Sequence, residues 1–315
     1  MTERCFEKET MMKLCPRGPS PFVPGFELFD ASLENGITIR FARGGRPGGK
    51  TPLLMVHGHP HNHVIWRKVA PDFAKDREVI LADLRGYGDS SKPAGDPAHR
   101  TYSKVEMAKD LALLMKGLGL PLFDFVGHDR GGRVGHRFAL DYPECVRKAV
   151  FIDIAPTALM YARTNKEFAT KYVWWFFLIQ PAPFPERMIG YDPAYYLRHH
   201  IEGQIKIKGV VEDEVFAEYL RCYQDPAEIH AICEDYRAAA TIDLEDDARD
   251  AEKRIEAPLF LLWGGRGTVG KLYDVVDTWR DRARTVSGHP LDCGHSPQEE
   301  CPEAFLEAVH GFLDD

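Results

Sequence analysis

Short apolar runs of strand length recur along the first half of the chain with helical spacing between them, the alternation that a mostly parallel sheet covered by helices requires. Residues 36–42 alternate polar and apolar and lead into a glycine-rich turn with Pro47. Residues 53–56 are apolar throughout, as a strand buried on both faces is, and the apolar stretches within 78–83, 122–126, 147–154 and 257–264 read as further strands. A weaker last strand is expected near Thr285 and Val286. Val105, Ala108, Leu111, Ala112 and Met115 give residues 103–117 helical spacing, with Ser103 as cap and Glu106 completing a capping box. Further helices are expected over 134–142, 271–282 and 299–313. Between 155 and 249 the pattern changes to aromatic helical segments, many charges and Pro181, Pro183 and Pro185, with no comparable strand run. The expected organisation is therefore a mobile extension over 1–24, a first core part over 25–155, an inserted helical cap over 156–250 and a second core part over 251–315.

The sharpest chemical signal lies where the run 122–126 meets the helix after it. Gly127-His128-Asp129-Arg130-Gly131 has the glycine spacing of a nucleophile elbow, a tight strand-to-helix turn, but carries aspartate where such turns usually carry serine. At a helix N-terminus, the dipole and free N–H groups favour an ionised Asp129. A carboxylate is a poor attacker of amides, but it can displace a leaving group from saturated carbon, forming an alkyl ester that water then cleaves. Aspartate is also a preferred helix cap, so the motif alone leaves a capping role open.

Length, charge and cysteine usage narrow the classes around that signal. At 315 residues the chain is long enough for a large α/β domain with an insertion, and its formal net charge of -8 argues against nucleic acid or an anionic membrane as partner. Seven scattered cysteines without a C-x-x-C spacing fit reduced thiols. With neither a signal-peptide pattern nor a run long enough to span a bilayer, the chain is expected to be soluble and cytoplasmic. His57, His59, His61 and His63 alternate in one loop, but no acidic or cysteine side chain nearby completes a ligand set, so a strand-end loop is preferred to a metal site.

Two further residues complete a catalytic set. His295 follows Gly294 in a loop after the last strand and is the candidate base. Residues 264–268 carry no carboxylate, whereas Asp153 stands at the carboxyl end of an earlier strand, where ligands bind in open α/β sheets. Chain order is no obstacle, because such a set is defined by geometry.

Residues 57–60, 127–133, 153–157, 180–183, 233–237 and 294–295 together resemble the fluoroacetate/haloacetate dehalogenases of the α/β-hydrolase superfamily, over the chain from about Pro24 onward. The resemblance implies the α/β-hydrolase fold, Asp129 as nucleophile, His295 as base and Asp153 as the acid orienting it. Arg130 and Arg133 correspond to the pair that holds the substrate carboxylate; three positions apart in the helix's first turn, they share a face and oppose the dipole unless an anion is present. Trp174, Trp175 and Tyr236 correspond to halide donors, and the backbone N–H groups of His59 and Arg130 are expected to stabilise an oxyanion. Trp174 stands where fluoride-releasing members carry histidine and His59 where phenylalanine is common, so chloroacetate is expected to react ahead of fluoroacetate. The resemblance also implies a homodimer, and the chemistry calls for no cofactor or metal. The same Asp and His would serve an epoxide hydrolase, with Tyr236 and either Tyr161 or Tyr172 as proton donors. A ligand-binding protein without catalysis is the alternative from another class.

Overall fold

The computed structural model describes residues 12–315. Its centre is a nine-stranded sheet in the order β1-β2-β3-β5-β4-β6-β7-β8-β9. These strands are β1 (Lys13–Pro19), β2 (Phe26–Ser32), β3 (Thr38–Gly45), β4 (Lys50–Val56), β5 (Arg77–Ala82), β6 (Phe123–His128), β7 (Val146–Ile152), β8 (Leu259–Gly264) and β9 (Val286–Leu291). From β5 to β9 neighbouring strands run parallel, and β1, β2 and β3 add an antiparallel edge.

The apolar runs follow from burial on both faces. In β4, Leu54 and Val56 join the core beneath the helices Lys104–Gly117 and Arg130–Asp141, while Leu53 and Met55 point the other way, to a core closed by the helix Pro302–Asp314. Each strand in the middle of the sheet therefore has no polar face to alternate.

Several boundaries depart from the sequence reading. Residues 13–19, expected within a mobile extension, form edge strand β1 on β2; residues 1–11 lie outside the described residues. Pro16, Pro19 and the bulge at Gly18 hide this strand from a propensity argument, yet an edge strand tolerates proline because one side needs no ladder donor. The expected helix over 271–282 is two short pieces, Thr268–Leu272 and a 3-10 turn at Asp277–Trp279. The last helix is interrupted at Cys301, before Pro302 opens its main part. Ser103 caps its helix by accepting the Glu106 N–H at 3.3 Å, but the Glu106 carboxylate turns toward Arg85, 3.8 Å away, instead of back to the cap.

Between β7 and β8 the described chain forms eight α-helices, from Thr157–Ala162 to Ile242–Arg249, and no strand. This insertion reaches the carboxyl ends of the strands: Asp235 contacts Arg130, and the Gln204 carbonyl accepts the His295 N–H at 3.3 Å. No helix among the described residues is long and apolar enough to cross a membrane.

Candidate active site

At the end of β6 the chain reverses at once into the helix Arg130–Asp141, which forces Asp129 to φ 47° and ψ -113°. Such a conformation costs on the order of 1–3 kcal/mol and persists because its surroundings hold it. Two glycines allow that packing. A Cβ on Gly131 would sit 2.3 Å from the Val56 carbonyl oxygen, and one on Gly58 would sit 2.5 Å from the Asp129 Cβ. The carboxylate makes no capping hydrogen bond to the helix, which removes the capping role left open by the sequence. Its Oδ1 instead accepts the backbone N–H of His59 at 3.2 Å. The Arg130 amide nitrogen lies against the same Gly58, so both expected oxyanion donors flank the elbow.

Burial works to raise the Asp129 carboxyl, but the charges of His295, Arg133 and Arg130 outweigh it and hold the group below its ordinary value. His295 comes from the loop after β9. Its Nδ1 lies 2.5 Å from Asp153 Oδ2, and the other Asp153 oxygen accepts the Gly264 N–H at 3.1 Å. The segment without a carboxylate thus contributes a backbone donor that fixes the acid. Burial lowers the His295 imidazole, while the hydrogen bond and charge of Asp153, with the charge of Asp129, raise it further, leaving it above the ordinary histidine value. His128 holds the loop from below, its Nε2 donating to the His295 carbonyl at 2.8 Å.

The two arginines have different surroundings, although the sequence reading treated them as a pair. Arg130 forms a bidentate ion pair with Asp235, Nε to Oδ2 at 2.9 Å and Nη2 to Oδ1 at 2.6 Å, so the protein itself supplies one anion. Lys104 and the Tyr87 hydroxyl converge on the same carboxylate. Among the described residues Arg133 has no carboxylate partner: Nη1 donates to the Ala155 carbonyl at 3.0 Å and to Thr157 Oγ1 at 2.9 Å, and its guanidinium lies 4.7 Å from the centre of the Trp175 ring. Burial pushes it below its ordinary value despite the nearby Asp129 charge. Arg130 Nη1, Arg133 Nε and Trp175 Nε1 are buried N–H donors with no acceptor in the described protein.

Of the three expected halide donors, Tyr236 and Trp175 are buried against these arginines, with Arg130 4.3 Å from the Tyr236 ring centre. Trp174 packs edge-on against His200, 4.6 Å between ring centres. It lines a cavity of about 480 Å³ together with Tyr172, Tyr196, His200, His295 and Asp153. Of the four loop histidines, His57 and His63 both approach Asp83 Oδ1, at 3.9 and 3.0 Å, while His59 and His61 turn to tyrosines. His57 accepts the Leu84 N–H, His63 bonds Asp83, His59 meets two tyrosines, and His61 lies edge-on to Tyr219. Among the described residues no three His, Cys, Asp or Glu side chains converge as metal ligands would. Four residues with a part in this geometry had no role in the sequence reading: Asp235, His128, His200 and Tyr223. Asp235 and His128 stand inside quoted motifs; His200 and Tyr223 leave no signal in spacing or composition.

A strained elbow between β6 and a helix, with a histidine after the last strand hydrogen-bonded to an aspartate from a third strand end, is the arrangement of an α/β hydrolase, here with aspartate at the tip of the elbow, and the chain belongs to this family: the alpha/beta hydrolase fold matches residues 51–302. Its particular relatives divide by chemistry. The fluoroacetate dehalogenase of a Burkholderia species is 40% identical over 297 residues, covering 92% of this chain and 95% of that protein. The soluble epoxide hydrolase of Corynebacterium sp. (strain C12) is 29% identical, covering 90% and 96%. A solved structure from Salmonella enterica, provisionally described as an acyltransferase, is 64% identical with a TM-score of 0.93, covering 95% of this chain and 98% of that one.

Proposed function

We propose that this hydrolase cleaves the carbon–halogen bond of short 2-haloacids, converting a haloacetate and water to glycolate, halide and a proton. The observation that carries the reading is the pair of buried, unsatisfied N–H donors on Arg130 and Arg133 beside an ionised Asp129, with the unsatisfied Trp175 N–H on the ring against Arg133. An unpaired buried cation is costly, and a substrate carboxylate would relieve it. The similarity to a fluoroacetate dehalogenase supports the same class.

In this reading Arg133, with the free Nη1 of Arg130, anchors the carboxylate and places the α-carbon against Asp129. The carboxylate oxygen displaces halide in line, and positioning supplies much of the acceleration. Trp175 and Tyr236 donate to the departing halide, with Trp174 at the wall of the adjoining cavity. His295, oriented by Asp153, then takes a proton from water as it attacks the ester carbonyl carbon of Asp129. The developing oxyanion meets the N–H groups of His59 and Arg130. The helical insertion acts as the cap that excludes bulk water. A cytoplasmic homodimer is part of the same proposal, with the exposed Phe184, Met188, Tyr191 and Tyr195 as the face available to a second copy.

Epoxide hydrolysis is the second reading, favoured by the relative from Corynebacterium and by buried Tyr236, with Tyr161 or Tyr172 as partner. A neutral epoxide would leave Arg133 without an anion. Acyl transfer suits the elbow less well, since an acylated Asp129 would be a mixed anhydride. Purified protein given chloroacetate and fluoroacetate in parallel, with halide measured by ion-selective electrode, should release chloride, and fluoride more slowly. Release of neither, with turnover of a terminal epoxide, would replace the first reading by the second.

The two half-reactions should separate by pH. Hydrolysis needs neutral His295, so kcat should rise through a midpoint above about 6.5. In contrast kcat/KM, which ends at halide departure, should stay level because Asp129 remains ionised throughout. Asp153→Asn removes the partner that raises His295 and should move the kcat midpoint down. If kcat and kcat/KM fell together in acid, His295 would belong to the displacement step instead.

A further inference from the structure

His59 brings a ring as well as a backbone N–H to the site. Its Nε2 is hydrogen-bonded to the Tyr223 hydroxyl and its Nδ1 lies 3.3 Å from the Tyr236 hydroxyl. All three side chains are 1% exposed or less, and neither hydroxyl has another hydrogen-bond partner among the described residues. Burial, with the charges of His200, Arg130 and His295, holds the His59 imidazole well below its ordinary value, so the ring is neutral. A neutral imidazole offers one donor and one acceptor.

The protons can then be counted. Two hydroxyls and one ring N–H contribute three protons to two hydrogen bonds, so one hydroxyl proton is left over at one end. If Nε2 carries the ring proton, the surplus falls on Tyr223, which is fully buried with no second acceptor. If Nδ1 carries it, Tyr223 donates to Nε2, Nδ1–H donates to Tyr236, and the surplus proton belongs to Tyr236. That side chain feels the Asp129 charge, which with burial raises the Tyr236 phenol. Either arrangement leaves one buried O–H without an acceptor in the resting protein, and the field of the ionised Asp129 favours the surplus O–H on Tyr236, which selects the second.

We infer that Tyr223 and His59 are positioning residues that keep the Tyr236 O–H from turning back into the protein and hold it toward the group that leaves as Asp129 attacks. This rests on the dehalogenase reading for the identity of that group, and on the hydrogen-bond geometry for the direction of the proton. Fluoride and chloride, which concentrate charge more than bromide, depend more on such a donor.

The test has two arms. In Tyr223→Phe, Nε2 loses its donor and the ring is free to take the Tyr236 proton at Nδ1. Single-turnover halide release should slow about tenfold with chloroacetate and much less with bromoacetate. The double variant His59→Phe/Tyr223→Phe keeps the backbone N–H but removes the competing ring nitrogen, and should recover most of the chloroacetate rate. Equal slowing with both substrates, or a double variant as slow as the single, would overturn the inference. In the second arm, nitrogen-15 NMR of histidine-labelled protein, with the His59 signals assigned by their loss in His59→Phe, reads the tautomer directly. Protonated Nδ1 in the wild type, shifting toward protonated Nε2 in Tyr223→Phe, is expected; protonated Nε2 in the wild type overturns it. Should the wild type release no halide at all, the dehalogenase reading fails, while the tautomer still decides the relay.

Discussion

Replacing His295 by asparagine should release about one halide per active site and then stop, leaving the protein heavier by one carboxymethyl group on Asp129. Displacement needs only an ionised nucleophile, and Arg133 and Arg130 continue to hold the Asp129 carboxyl down after the histidine is gone. Hydrolysis of the ester needs a base, and loss of a positioned general base slows such a step by roughly 10²–10⁴-fold. Peptide mass mapping of the trapped protein should find the added group on the segment containing Asp129. In the wild type, a single turnover in oxygen-18 water should place the label in the Asp129 carboxylate, because water attacks the ester carbonyl and not the substrate carbon. Continued turnover of His295→Asn, or label found in the glycolate of that single turnover, would remove the ester mechanism.

The parts of the site that were legible in the sequence are those where backbone geometry dictates residue type. Gly58 and Gly131 are required because a Cβ would collide with the chain passing beside them, so the elbow announces itself through spacing. Asp153 was found because it ends an unmistakable apolar strand and because residues 264–268 offer no competing carboxylate. The sheet from β4 to β8 was legible for a related reason: burial on both faces leaves only apolar side chains. What escaped depends on contacts between distant side chains. The Arg130–Asp235 pair joins positions 105 residues apart, and no periodicity predicts that one arginine of two receives an internal partner. His59 and Tyr223, 164 residues apart, are similarly silent in sequence. Strand β1 was missed because its prolines are unfavourable in general and acceptable only at an edge, a fact of topology and not of local composition.

The adjacent arginines should therefore respond oppositely to the same substitution. Arg133→Met removes a buried charge that has no carboxylate partner, keeping a chain of similar length to cover Trp175. Replacing an unpaired buried charge by an apolar group is neutral or stabilising, so Tm should hold or rise. Yet the substrate would lose its charge-assisted anchor, worth about 3 kcal/mol, and kcat/KM for chloroacetate should fall about 10²-fold. Arg130→Met breaks a buried bidentate pair and leaves Asp235 with Lys104 and Tyr87 alone, so it should destabilise the fold by about 3–5 kcal/mol. Thermal unfolding of both variants with parallel kinetics decides the point. An Arg133→Met protein with undiminished kcat/KM would mean that the substrate is not a carboxylate, because no other described cation at the nucleophile lacks an internal anion. On the proposed reading, keeping so costly a group unpaired lowers the stability of the free protein, and an anionic substrate beside Asp129 offsets that cost.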